Sequence, residues 1–269
     1  MTMREIDVRG RMVHLYQAGA GDPVLYLHGV ADMHGAAAGP FPFHEALAGS
    51  VQLFAPAHPG CAGSAEDDTM ESIDDLVFHT LEVMDALELD RVDLVGTCVG
   101  GWLAAEIAVH NPERVRRLVL MGATGLFVSG APIADLFMAV QPRNGGIADL
   151  RAMLFSDPES ALAETMFPDR FDDKAVGMMR YQVFRFSSRI GFQPPYFYHA
   201  KLRDRLHRFA GPALVLWGGA DRFVPTAHAR AWGEGLAGSA VELIEGSGHA
   251  VHLEAPDIVA KRVAAFIGN

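Results

Sequence analysis

Gly96-Thr97-Cys98-Val99-Gly100-Gly101 decides the fold. The run Val92-Asp93-Leu94-Val95 precedes it and a helical stretch from Gly100 to His110 follows it. So tight a turn from strand to helix strains its central residue, and the residues at both ends must be small. Gly96 and Gly100 meet that need. Cys98 is then held at the tip, near the positive end of the following helix, and the Val99 N–H is placed to stabilise an oxyanion.

The pattern repeats on either side. Upstream, Arg4–Arg9 and Met12–Gln17 alternate like an edge hairpin, Val24–Leu27 is a continuous apolar run, and Val51–Phe54 is another strand. Ser72 to Leu89 carries Ile73, Leu76, Val77, Leu81, Met84 and Leu87 at helical spacing, with Ser72 and Asp75 suited to its first turn. Downstream lie a strand at Val115–Met121, a strand at Ala213–Trp217, a helix near Thr226–Leu236, a strand at Val241–Ile244 and a closing helix at Pro256–Ile267. Strands alternating with helices predict an α/β fold: a doubly wound, mostly parallel sheet of about eight strands.

From Thr124 to Arg205 the rhythm stops, and nine of the sixteen phenylalanines fall there. A helical cap inserted after the sixth strand is the simplest account, since a structureless loop of that length is rare in a compact domain. The expected division is a core of residues 1–123 and 206–269 with a cap of residues 124–205. Each phenylalanine taken singly reads as the cap's own core, but together they supply side chains over whatever lies below.

The 269 residues are 50% hydrophobic and 20% charged, the composition of a compact globule. A net charge of −11 argues against nucleic-acid or anionic-membrane partners. No run reaches the roughly 18 apolar residues of a membrane span, and the N-terminal residues lack the apolar core of a signal peptide, so the expected location is cytoplasmic. Two cysteines, Cys61 and Cys98, imply no disulfide framework. No cofactor is implied: the turn lacks a P-loop lysine, and His249 with His252 has no further ligand spaced to complete a metal site. The expected partner is a small-molecule substrate, with a homodimer possible.

The turn resembles the nucleophile elbow of the α/β-hydrolase superfamily, and the resemblance covers nearly the whole chain. His28-Gly29-Val30 is similar to the family's oxyanion loop, and His58-Pro59-Gly60-Cys61-Ala62-Gly63-Ser64 to its glycine-rich loop after the fourth strand. Trp217-Gly218-Gly219-Ala220-Asp221 resembles the segment bearing the acid, and Gly246-Ser247-Gly248-His249 the histidine loop. The resemblance implies catalytic Cys98, His249 and Asp221, with an oxyanion hole formed by Val30 and Val99. The order nucleophile, acid, histidine is the family's.

Cys98 is the departure, because the family pattern usually has serine there. The sequence differs from a common serine elbow by one atom, so a serine parent is one reading of it. A thiol at a helix N-terminus beside an imidazolium ionises more readily than a free one, which suits acyl chemistry. The bland readings are a small buried hydrophobe for Cys98 and a helix cap for Asp221. The expected reaction is hydrolysis of an apolar carboxylic ester or lactone through an acyl-cysteine. The alternatives are a C–C bond hydrolase of the meta-cleavage-product type, an acyltransferase, and a hydrolase-like binding protein. Against the C–C reading, His249 is followed by Ala250, where those hydrolases often carry tryptophan. Asp32, Met33, His34, Phe127, Phe137, Met138 and Arg185 are the candidate substrate-binding residues. Arg180, Arg185 and Arg189 read either as a carboxylate clamp or as a solvated cationic face.

Overall fold

Strand β5 (Val92–Thr97) is buried at every residue, and its neighbours explain why. The computed structural model describes residues 2–32, 40–139, 146–170 and 173–268. Within these, eight strands form one sheet in the order β1-β2-β4-β3-β5-β6-β7-β8. They are β1 (Thr2–Val8), β2 (Arg11–Ala18), β3 (Pro23–Leu27), β4 (Gln52–Pro56), β5, β6 (Val115–Met121), β7 (Ala213–Gly218) and β8 (Ala240–Ile244). β1 with β2 and β2 with β4 are antiparallel, and every other pair is parallel. The edge hairpin and the parallel centre match the sequence expectation.

The apolar runs divide strictly by face. Leu25, Leu27, Leu94, Leu118, Leu120, Val215 and Trp217 join one core. It is covered by α2 (Ile73–Ala86), α3 (Cys98–His110) and α9 (Ala227–Gly235). Val24, Tyr26, Val95, Val119, Met121, Leu214 and Leu216 join the other, under α1 (Pro42–Ala48) and α11 (Pro256–Ile267). A strand clothed by helices on both faces needs apolar side chains on both, so these runs do not alternate. α3 is buried from Cys98 to Val109, which accounts for its lack of a polar face. α2 starts in a capping box: Asp75 accepts from the Ser72 N–H at 2.9 Å while the Asp75 N–H reaches the Ser72 hydroxyl. The helix α1 went unread in the sequence.

Between β6 and β7 run α4 (Leu136–Ala139), α5 (Ile147–Leu154), α6 (Ala161–Met166), α7 (Lys174–Ile190) and α8 (Leu202–Arg205). Leu150, Leu154, Phe155, Phe167, Phe186 and Ile190 join the first core, so the segment packs on the sheet domain through its own apolar faces. α7 is fastened to the loop after β4: Arg185 pairs with Glu66 and, at 2.6 Å, with Asp68, and Arg189 reaches Asp68 at 3.1 Å. A second fastening joins this segment to the chain after β8. Glu254, on α10 (Val251–Glu254), accepts from the Ser156 N–H at 2.8 Å and hydroxyl at 2.5 Å, and from the Gly248 N–H at 2.6 Å. Among the described residues no helix is long and apolar enough to cross a membrane.

Candidate active site

Parallel strands deliver their following loops to one edge of the sheet, where α/β folds place their sites. The loops after β3, β5, β7 and β8 carry His28–Asp32, Cys98, Asp221 and His249. Cys98 has φ +53°, a left-handed conformation that side chains with a Cβ rarely adopt. Crowding fixes it there. A Cβ on Gly96 would lie 2.7 Å from Gly101 Cα, one on Gly100 would overlap the Leu27 carbonyl, and one on Gly101 would lie 2.6 Å from Ala123 Cβ. The three glycines let β3, β5 and α3 converge, and the Cys98 carbonyl accepts from the Thr124 N–H at 3.1 Å.

Asp221 and His249 are joined directly. His249 Nδ1 lies 2.9 Å from Asp221 Oδ2, with both side chains fully enclosed. The other carboxylate oxygen accepts from the N–H groups of Phe223 at 2.9 Å and Val224 at 2.8 Å. Asp221 caps no helix, since α9 begins at Ala227; its carboxylate holds the turn at Phe223 and Val224 on one side and meets the His249 ring on the other. Trp217 Nε1 donates to the Val224 carbonyl at 3.0 Å, locking the same loop. Phe223 meets the His249 ring edge-to-face at 4.9 Å. Gly122 leaves the room the ring needs, since a Cβ there would lie 3.1 Å from Nδ1.

Burial opposes a charge on His249, but the Asp221 carboxylate and the Cys98 sulfur outweigh it and raise the imidazole pKa to about 10. Nε2 makes no fully formed hydrogen bond and is buried. Nδ1 is taken by the carboxylate, which leaves Nε2 as the ring nitrogen that a general acid–base would use.

The remaining predicted residues divide. Val30 and Val99 are buried within the same core as Cys98. Asp32, expected at the substrate, is instead wholly buried: Oδ1 accepts from the Gly29 N–H at 2.7 Å, and Oδ2 accepts from the Tyr26 hydroxyl. Arg185, a candidate carboxylate clamp, is taken up by Glu66 and Asp68. Arg180 donates to the Pro168 carbonyl at 2.6 Å. Phe127 is 58% exposed against Tyr198, and Met138 is also exposed. Phe137 reaches inward through a run of ring contacts, Phe137–Phe192–Phe197–Phe223–His249. Met33 and His34 lie outside the described residues. The sequence assigns no role to Glu254 or Phe223, although they stand within five residues of His249 and Asp221 respectively. Among the described residues no group of three or more His, Cys, Asp and Glu is placed to hold a metal ion.

The alpha/beta hydrolase fold model matches residues 22–256, and the chain belongs to that family. Among its relatives, the 2-hydroxymuconate semialdehyde hydrolase of Pseudomonas sp. (strain CF600) is 38% identical over 152 residues. That match spans 56% of this chain and only 53% of the relative. A 2-hydroxymuconate semialdehyde hydrolase of Pseudomonas putida is 29% identical over 99% of this chain and 94% of its own. The solved 2-hydroxy-6-oxo-6-phenylhexa-2,4-dienoate hydrolase of Rhodococcus sp. strain RHA1 superposes with a TM-score of 0.78 at 21% identity, covering 100% of this chain and 99% of that one. At that identity the likeness is one of fold.

Proposed function

We propose that this chain hydrolyses a carbon–carbon bond beside a carbonyl in a small unsaturated oxo acid, with Cys98 as nucleophile. The expectation of a simple ester or lactone gives way to this reading because two relatives are named as hydrolases of 2-hydroxymuconate semialdehyde, an unsaturated oxo compound and not an ester. The observation that carries it is the buried His249–Asp221 pair beside Cys98, in which the carboxylate and the neighbouring sulfur raise the imidazole pKa to about 10. Breaking a C–C bond leaves a carbanion, and a carbanion needs both conjugation within the substrate and an acid at hand.

The Cys98 thiolate attacks the carbonyl carbon, and the N–H groups of Val30 and Val99 stabilise the oxyanion. With the substrate in its keto tautomer, which has a CH2 beside that carbonyl, collapse expels a carbanion conjugated with the unsaturated oxo acid, and the proton on His249 Nε2 passes to it. The acyl group remains on sulfur. A water then loses a proton to His249, attacks the thioester and releases a carboxylic acid and the thiolate. Asp221 fixes the imidazole tautomer and offsets its charge throughout. The segment between β6 and β7 serves as the cap, excluding bulk water that would quench the carbanion without direction.

The test is turnover of 2-hydroxy-6-oxo-dienoic acids, followed as loss of the dienolate absorbance, beside a panel of aryl esters and lactones. C–C turnover that Cys98→Ala abolishes supports the reading. Ester turnover with no C–C cleavage overturns it and returns the chain to the carboxylic ester hydrolases.

A further inference from the structure

We propose that Asp32 is the positioning residue of the oxyanion loop, setting the Gly29–Val30 peptide against Cys98 and tying it to the histidine loop through His252. The proposal rests on the reading of Cys98 as nucleophile. Asp32 follows the loop it grips by three residues, and Oδ1 takes the Gly29 N–H at 2.7 Å. That peptide abuts the elbow so closely that a Cβ on Gly29 would overlap Cys98 Cβ. The next N–H in the chain belongs to Val30, so the orientation of Gly29 sets the direction of the donor.

The second carboxylate oxygen faces the other way. Oδ2 accepts from the Tyr26 hydroxyl and lies 3.2 Å from His252 Nε2, a close polar contact and not an aligned hydrogen bond. His252 stands on α10, three residues beyond His249, and both side chains of this pair are fully enclosed. One carboxylate thus bridges the loop that supplies an oxyanion donor and the loop that supplies the general acid. A buried charge held by several partners tolerates few geometries. Burial alone would neutralise it. His252, His28 and Tyr26 instead hold the Asp32 pKa well below the usual carboxylate range. His44 and His58 lie in the same surroundings, and burial keeps both from accepting a proton.

Two reactions of Cys98 separate positioning from mere support. Alkylation by iodoacetamide needs the thiolate but no oxyanion hole. Acylation by p-nitrophenyl acetate needs both, as sulfur bonds to the acetyl carbon and p-nitrophenolate departs. Asp32→Asn is expected to slow acylation roughly 10²-fold, the loss typical of one misdirected oxyanion donor. Alkylation, mapped to Cys98 by peptide mass, stays close to the parent rate. Tyr26→Phe removes one partner of the carboxylate without loss of volume, and predicts a smaller change of the same sign should Asp32→Asn fail to fold. Acylation and alkylation falling together, or neither changing, overturns the positioning role while leaving Cys98 as nucleophile. A parent protein that alkylates but is never acylated overturns both readings.

Discussion

Gly29 stands against Cys98 with no space between them: a Cβ on Gly29 would overlap the Cys98 Cβ and lie 2.8 Å from the Thr97 carbonyl oxygen. Backbone cannot retreat as a flexible side chain can. Gly29→Ala is therefore expected to push the oxyanion loop off the elbow, costing about 1–3 kcal/mol of stability by overpacking and at least roughly 10²-fold in acylation of Cys98. Gly177→Ala supplies the opposite sign. Gly177 lies within α7 with open space where its Cβ would go, and alanine there should stabilise by roughly 0.5–1 kcal/mol. Urea unfolding of the two variants checks both.

The protonation of His249 predicts a pH dependence. Burial disfavours its charge, Asp221 and Cys98 favour it, and the balance is a pKa of about 10 against about 6.5 in an unfolded chain. The native state binds this proton more tightly, so its contribution to stability is full below about pH 6.5 and is lost as pH rises toward 10. Asp221→Asn removes the larger of the favourable influences. The gap in unfolding free energy between parent and Asp221→Asn should be widest below pH 6.5 and narrow on the way to pH 10. The alkaline limb of the pH–rate profile should move to lower pH in the variant. A limb that stays in place would mean that the imidazolium is not the proton donor.

Much of this molecule was legible in its sequence because strict packing leaves strict patterns. β5 and β6 sit in the middle of a sheet clothed on both faces, so Leu94, Val95 and Leu118–Met121 are apolar whichever face they meet, and the polar exceptions, Asp93 with Arg116 and Arg117, pair with one another. The elbow betrayed itself through glycines that backbone contact demands. What escaped was the direction of polar side chains. Asp32 sits directly after the oxyanion loop, where a carboxylate facing substrate and one facing Tyr26 and His252 look alike in one dimension. The same holds for Arg185: its spacing on α7 reveals a cationic face, but not that Glu66 and Asp68 from a loop more than a hundred residues away occupy it. The helix α1 was missed for a different reason, as seven residues carry too little periodicity to stand out.

Glu254 predicts a link between the inserted segment and catalysis. Its carboxylate takes three donors, the Gly248 N–H beside His249 and both the N–H and hydroxyl of Ser156. Hydrogen bonds to a charged acceptor are among the stronger ones. Glu254→Ala is expected to cost about 2–3 kcal/mol and to lower kcat more than it raises KM, because the loop that loses its anchor carries His249, the proposed general acid. Ser156→Ala removes one donor and leaves the Gly248 contact, so its effect on kcat should be much smaller. Steady-state kinetics on the two variants separates the anchor from the attachment.

The other attachment is of a different kind and should answer differently. Arg185 and Arg189 reach Asp68, whose side chain is 79% exposed, and Arg185 also meets Glu66. Pairs so open to water contribute little to global stability and weaken in salt. Arg185→Ala should barely change Tm, yet it removes two of the contacts that hold α7 to the loop after β4. Amide exchange along α7 should quicken in this variant, and about 0.5 M salt should quicken the parent in the same places. The Ser156–Glu254 side, less exposed and anchored to backbone, should keep its protection under both treatments. Equal acceleration on the two sides would mean that the segment opens as one body; acceleration confined to α7 makes the Arg185 side the moving edge and the Glu254 side the hinge.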